Sequence, residues 1–242
     1  MTWFSGGMQR VVVIAACLPL LFLSACAPAV PDAELIADET LENGLEAAQR
    51  GDYAEAYWLW RPLADAGIAR AQHQIGWLYA NGNGLRVNLE AAIDWWTRAA
   101  RSGYADSAFA IGMAYLNGEP GELEQDFAKA SEWLVRSADE GSADAPEIVT
   151  RLVSARTDSL LGAHPGLLER QWLGTPVVVA EDKAELRATP NPEARVLASV
   201  VPGAVLRQVA TDAGWSRVVL PDQSGLAWVP SSAVRSPGAK LP

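Results

Sequence analysis

Apolar and polar positions fall into three patterns along the 242 residues. An opening whose only charge is Arg10 leads into an apolar run, Val11 to Leu23, interrupted by Pro19. That run is shorter than the roughly 20 residues a bilayer-spanning helix needs. From about 40 to 143, small and apolar residues recur at helical spacing between punctuating glycines. From 175 to 236, short β-branched runs alternate with turn residues.

The helical region repeats itself. The stretch IGWLYANGNG from Ile75 matches IGMAYLNGEPG from Ile111, pairing Gly76 with Gly112, Tyr79 with Tyr115 and Gly82 with Gly118 at offsets of 36. Asp52, Asn88 and Asp126 align too, as do Ala56, Ala92 and Ala130, and Gly67, Gly103 and Gly141. The second offset is 38, the two extra residues lying in EPGELEQ. A fixed period of this length signals stacked supersecondary units. Asp52, Asn88 and Asp126 sit where a helix N-cap belongs. Gly67, Gly103 and Gly141 sit where the same helix ends in a left-handed residue. Gly82 and Gly118 do the same for the other helix of each unit. Gly76 and Gly112 fall inside a helix, where glycine costs about 1 kcal/mol relative to alanine, so the backbone of a neighbouring helix is expected against them. Small residues (Ala92, Ala99, Ala130, Ala138) and large ones (Tyr79, Trp95, Trp133) would interlock the hairpins. Two full units and a half-unit in front are expected. A third start, GSADAPEIVTRLVSARTDSLLG, loses the Gly and Tyr and reads as a terminal capping helix.

GDYAEAYWLWRPLADAGIARAQHQIGWLYANGNG resembles the Sel-1-like repeats, relatives of the tetratricopeptide repeat. The resemblance covers about 41 to 143. It implies a non-catalytic adaptor that offers a groove to a protein partner. Tryptophans 58, 60, 77, 95, 96 and 133 crowd this region. Most are expected between helices. Trp95 and Trp96, being adjacent, cannot share one helix side, so one of them is a candidate for a surface and an interface.

After Gly162 the pattern changes. AHPGLLERQWLGTP is a connector, and short β-rich runs follow at 177–179, 184–187, 196–201, 205–209, 215–220 and 226–229, separated by Pro/Gly/Asn/Asp turns. Strands at this spacing suggest a small barrel. ELRATP, VVPGAVLRQV, GWSRVVL and GLAWVPSSAV resemble the bacterial Src-homology-3 domain, which implies cell-wall or protein binding. The aromatic groove that takes proline-rich peptides has little to be built from, because the segment has no Tyr or Phe, only Trp215 and Trp228. Those two are its candidate binding residues, with a core role and a spacer domain as the competing reading.

The first residues set the location. A charged start, a short apolar stretch and small residues describe a secretory signal. Leu23-Ser24-Ala25-Cys26 resembles the bacterial lipoprotein signal, which implies cleavage between Ala25 and Cys26 and acylation of the Cys26 thiol, as with palmitate. Cys17 would leave with the signal, so the mature chain would form no disulfide. Residue 27 is Ala rather than Asp, which by analogy with lipoprotein sorting favours the outer membrane, lipid-anchored and facing the periplasm. The stretch APAVPDAELIA reads as a tether, reaching at most roughly 36 Å when extended.

Charge narrows the partners. The mature chain would carry 18 Lys and Arg against 29 Asp and Glu. Such an acidic surface disfavours nucleic acid and anionic lipid. No catalytic constellation is evident: His73 and His164 lie in different elements, no HExxH, GxSxG or CxxC occurs, and NGNG follows a helix and reads as a turn. Neither a cofactor nor a metal is expected, and no catalytic residue.

The expected architecture is multidomain, an all-α helical-repeat solenoid followed by a small all-β Src-homology-3-like barrel. Its parts are a signal peptide (1–25), a tether (26–37), repeats with a capping helix (38–162), a linker (163–175), the barrel (176–236) and a tail (237–242). The expected function is a non-enzymatic envelope adaptor that binds a protein partner through the repeats and peptidoglycan or protein through the barrel. Alternatives are a peptidoglycan-binding regulator of a wall enzyme and an enzyme of unrecognised type.

Overall fold

A computed structural model describes residues 33–119, 121–180 and 183–238; Ala25, Cys26 and the signal lie outside the described residues. Helices come first: α1 (Ala33–Arg50), α2 (Tyr53–Asp65), α3 (Ala69–Asn81), α4 (Leu89–Arg101), α5 (Ala105–Asn117), α6 (Phe127–Asp139), α7 (Ala145–Ala155) and α8 (Thr157–Ala163). They stack as helical hairpins α1–α2, α3–α4 and α5–α6, with α7 and α8 covering the last one.

The expected half-unit in front is a complete hairpin. Gly44 of α1 occupies the place of Gly76 and Gly112, but it precedes Gly76 by 32 residues rather than 36. The reason is loop length. Only Gly51 and Asp52 join α1 to α2, whereas residues 82–88 and 118–126 join the later pairs.

Local chemistry sets the helix ends. Asn88 Oδ1 accepts from Ala91 N at 2.9 Å and Asp126 Oδ1 from Lys129 N at 3.0 Å. Asp52 sits at the same place without capping, because its carboxylate turns to Arg50 at 3.2 Å. Gly67, Gly103 and Gly141 follow the second helix of each hairpin in the left-handed region, with φ of 92°, 79° and 95°.

Gly44 and Gly76 are covered by side chains rather than by backbone, whereas Gly112 meets both the side chain and, at 3.1 Å, the backbone nitrogen of Leu134. A Cβ on Gly44 would lie 2.1 Å from Trp60 Nε1, and one on Gly76 would lie 2.5 Å from Trp96 Nε1. Each indole lies across its glycine and donates to the carbonyl three residues earlier, Trp60 to Leu41 at 3.0 Å and Trp96 to His73 at 3.1 Å. In the third hairpin Leu134 takes the indole's place against Gly112. The packing and the hydrogen bond made by each Trp offset the helix-propensity cost of its glycine.

Neither Trp95 nor Trp96 reaches a surface. Both are buried, at 7% and 6% exposure. A stacked helix has neighbours on two sides: Trp95 packs into the core of the first three helices, and Trp96 packs with α4 and α5. Among the described residues the exposed indole is Trp58 on α2, at 72%.

The chain then forms β1 (Thr175–Val179), β2 (Ala184–Arg187), β3 (Val196–Val200), β4 (Val205–Asp212), β5 (Trp215–Val219), β6 (Leu226–Pro230) and β7 (Val234–Arg235). All described pairings are antiparallel, in the order β3-β2-β6-β5-β4-β1-β7. A barrel closed by hydrogen bonds would pair β3 with β7, and these two strands instead end an open sheet. One face of it buries Val177, Val179, Leu186, Leu206, Val218, Ala227 and Val229.

The connecting segment is part of a core. Leu167, Leu168 and Leu173 pack with Leu134, Val149, Val153 and Leu160 of the helices and with Val209 and Val219 of the sheet. Ser154 Oγ of α7 donates to Val209 O at 2.8 Å, and Gly174 N donates to Thr150 Oγ1 at 3.1 Å. The Arg207 guanidinium of β4 donates to the carbonyls of Leu168, Arg170 and Leu173. Sheet and helices therefore dock without a free hinge between them.

Candidate functional site

The first helix of each hairpin, and α7 after them, carries one stripe of residues that packing leaves exposed or only half-buried. The stripe is Asp38, Glu42, Leu45 and Gln49 on α1; Arg70, Gln74, Trp77 and Asn81 on α3; Asp106, Ala110, Met113 and Asn117 on α5; and Asp144, Ile148, Arg151 and Ala155 at α7. Steps of three and four residues keep each stripe on one helix face. Stacking aligns the stripes into rungs. One rung is Glu42, Gln74, Ala110 and Ile148, and the next is Leu45, Trp77, Met113 and Arg151. Gln49, Asn81 and Asn117 make an amide rung on one side, and Asp38, Arg70, Asp106 and Asp144 a charged rung on the other.

Between α1 and α3 the apolar rung opens into a cavity of about 260 Å³, lined by Leu45, Ala48, Gln49, Gln74 and Trp77 with Trp60 beneath. Trp77 is held from one side by Tyr53, ring centroids 6.2 Å apart. The rungs continue to the end of the stack, where Met113 and Ile148 meet the same core. A shallow trough with apolar centre, amide rim and charged rim has the chemistry to take a polypeptide segment, whose side chains would fill the cavity and whose backbone would pair with the Gln and Asn rim.

Chemistry of other kinds finds little support in the side chains. His73 Nδ1 lies 2.9 Å from Ser107 Oγ, and His164 Nε2 lies 3.0 Å from Ser131 Oγ. Burial lowers the pKa of both imidazoles, with nearby carboxylates (Asp106 for His73; Glu132 and Asp139 for His164) pulling the other way. Both serine partners are buried, at 0% and 1% exposure, where no substrate carbonyl reaches them. The histidines are half-buried rather than exposed, and each serves a separate helix contact. Among the described residues no group of three or more His, Cys, Asp or Glu could hold a metal ion, and no helix is long and apolar enough to cross a membrane.

Trp215 and Trp228 are half-buried, and neither belongs to the sheet's core. They share the outer face of the β5–β6 hairpin, where Trp215 pairs with Pro230 and Arg217 with Trp228. The Arg217 guanidinium lies 5.5 Å from the Trp228 ring centroid. Further along this face Val219 disappears beneath α7 and the connecting segment. The outer face thus runs from covered, at Val219, to open, at Trp215. Arg217 also faces Ser154 O at 3.4 Å, across a depression bounded by residues 154–159.

Sequence reasoning missed the rungs. Their signal was present, because Leu45, Trp77 and Met113 each follow a helix-internal glycine by one residue. It is hidden in α1 by the shorter offset.

Comparison with known proteins agrees with the helical stack. The model of the Sel1 repeat matches residues 36–68, 69–104 and 105–142. The Sel1-repeat-containing protein YjcO of Escherichia coli K12 is 34% identical over 111 residues, covering 42% of this chain and 48% of that protein. The same figures hold for the uncharacterized protein YjcO of Shigella flexneri. The chain spans about half the length of the curated relatives it matches. Among solved structures, a Sel1 repeat protein from Oxalobacter formigenes aligns with TM-score 0.44 at 27% identity, covering 48% of this chain and 47% of that one. The cysteine rich protein B of Helicobacter pylori aligns with TM-score 0.37 at 14% identity, over 49% of this chain and 98% of that one. Proteins built on such repeats are generally non-catalytic scaffolds for protein–protein interaction. Residues 36–142 of this chain match the Sel1 repeat model three times in tandem.

Proposed function

We propose that the chain is a non-catalytic adaptor of the bacterial envelope, anchored by acyl chains on Cys26 after cleavage behind Ala25. It faces the periplasm from the outer membrane. The observation that carries the adaptor reading is the trough on the repeats, with its cavity at Leu45, Ala48 and Trp77. A protein partner lies along the rungs of α1, α3, α5 and α7. The anchor rests on the Leu23-Ser24-Ala25-Cys26 stretch, and two acyl chains hold where one does not.

The sheet is read as a Src-homology-3-like module whose open outer strip, Trp215 and Trp228, contacts peptidoglycan or a second protein. Two half-buried indoles set diagonally on one face of the β5–β6 hairpin, one with a guanidinium over it, favour this reading of the strip. An aromatic ring with a polar edge stacks on sugar or peptide faces and still makes directed hydrogen bonds.

A photo-crosslinking experiment in cells tests the trough. A benzophenone amino acid is placed at Gln74, at Gln49 and, for contrast, at Trp58 on the outside of α2. The expected result is one discrete adduct from the two trough positions, removed by Trp77→Ala, and none from position 58. Equal adducts from all three positions would overturn the trough. Detergent-phase partitioning lost on Cys26→Ser checks the anchor, and sedimentation with peptidoglycan sacculi lost on Trp215→Ala with Trp228→Ala checks the strip.

A further inference from the structure

The charges around the trough are unevenly distributed, and this restricts what lies in it. Between residues 38 and 162 twenty Asp and Glu stand against ten Lys and Arg, while the rest of the chain has nine of each sign. The excess negative charge therefore belongs to the helical part. On the charged rim of the trough the single cation, Arg70, is already held by Glu42 at 3.1 Å. Asp38, Asp106 and Asp144 have no cation within ion-pair distance among the described residues, and all three are exposed. The other cation of the stripes, Arg151, is approached by Glu147 at 3.7 Å. Asp106 and Asp144 lie at the starts of α5 and α7, where a carboxylate offsets the helix dipole. Asp38 lies inside α1, more than a turn from its start, where that explanation does not reach.

The geometry points to a cationic amphipathic polypeptide segment as the occupant: two or three large apolar side chains on the Leu45–Trp77–Met113 rung, with Lys or Arg along the side that meets Asp38, Asp106 and Asp144. This rests on the proposed reading of the trough as a protein-binding site and adds the chemistry of the partner. The apolar cavity supplies the anchor. The rim carboxylates set charge sign, because like charges brought together there repel and opposite charges speed encounter. A neutral or acidic segment of the same shape meets the same cavity without that complement.

The test is fluorescence anisotropy with the full-length chain and three fluorescein-labelled dodecapeptides. The first has leucine or phenylalanine at three positions on one helical face and lysine at four others. The second replaces every lysine with glutamate. The third keeps the lysines and replaces the apolar residues with serine. The first is expected to bind most tightly and to weaken as sodium chloride rises. Three exposed ion pairs together are expected to change affinity by about tenfold, so Asp38→Asn, Asp106→Asn and Asp144→Asn combined should weaken the first peptide by about that factor. The same triple change should strengthen binding of the second peptide, because it relieves like-charge repulsion. Gln49→Arg, at the exposed mouth of the cavity, blocks the first peptide without disturbing the core and controls for loss of fold in Trp77→Ala.

If the glutamate peptide binds as tightly as the lysine peptide, and Gln49→Arg blocks both, the charge inference is overturned while the trough stands as a peptide site. If the serine peptide binds as well as the first, attraction is charge alone and the amphipathic occupant is overturned. If no peptide responds to Gln49→Arg or Trp77→Ala, the trough reading itself fails and takes the inference with it.

Discussion

Gly76→Ala makes opposite demands on local and tertiary structure, so it measures how firmly the indole joints hold the repeats. Considered alone, alanine inside α3 should stabilise the helix by about 1 kcal/mol. The backbone there is ordinary helix, but the new methyl would stand 2.5 Å from Trp96 Cδ1 and Nε1 and 3.0 Å from Cε2. A real Cβ needs nearly 1 Å more. The indole must shift, and Trp96 is buried between α3 and α5 with its N–H bound to His73 O at 3.1 Å. Overpacking of this kind costs about 1–3 kcal/mol, and losing the indole hydrogen bond about 1 kcal/mol more. The propensity gain offsets roughly one of those terms, leaving a net destabilisation of about 1–3 kcal/mol. For a chain of this size each kcal/mol lowers the melting temperature by about 2–4 °C. Urea unfolding followed by tryptophan emission and by far-ultraviolet circular dichroism reads the change. Gly162→Ala is the matched control: it lies in α8, and a Cβ there would meet nothing within 4 Å. It should leave stability unchanged or raise it by up to about 1 kcal/mol. If Gly76→Ala stabilises the chain as Gly162→Ala does, the packing of indole on glycine does not hold the hairpins together and the argument is wrong.

Three further outcomes are expected. Asn88→Ala should cost about 1 kcal/mol through a lost cap, whereas Asp52→Ala, whose side chain caps nothing, should cost only the few tenths of an exposed pair; chemical denaturation of the two variants should separate them. Removing the half-buried Arg207 guanidinium with Arg207→Met strands three carbonyls at about 1–3 kcal/mol, and calorimetry should then resolve sheet and helices as two transitions where the parent melts in one. Below pH 6.5, stability should fall with pH, because burial lowers the His73 and His164 pKa values and the unfolded chain binds the protons more readily; it is fully present above 6.5, and the slope should shrink in His73→Asn.

Much of the helical part was legible because its determinants are local. A capping side chain such as Asn88 and a terminal glycine such as Gly103 act within a few residues, so their recurrence at 36 and 38 marks hairpins directly. The first hairpin reads as half a unit because a two-residue turn shortens its period, and periodicity counts residues rather than helices. Gly76 and Gly112 are legible as contact points, but the partner lies some twenty residues away, an indole at Gly76 and both side chain and backbone of Leu134 at Gly112, which no local signal specifies. Trp95 and Trp96 show a related limit. Two different sides of one helix mean inside and outside in an isolated pair, but inside twice in a stack. In the sheet, alternation identified the strands, yet closure depends on whether β3 meets β7, and their sequences carry no mark of that. The trough was invisible for a different reason: its members are defined by what fails to cover them, and that emerges only after the helices have stacked.

The carbonyl clamp of Arg207 and the shared core of Leu167, Leu173, Val209 and Val219 also bear on valency. Two binding modules on a flexible string find a wide range of doubly attached ligands, each at a modest effective concentration. Here the trough and the Trp215–Trp228 strip are fixed in one frame. A ligand pair whose spacing fits would be captured without the entropy of closing a loop, and a pair that misses by a few ångströms could be held at only one end. The molecule would then select for the distance between two partners as well as for the partners themselves.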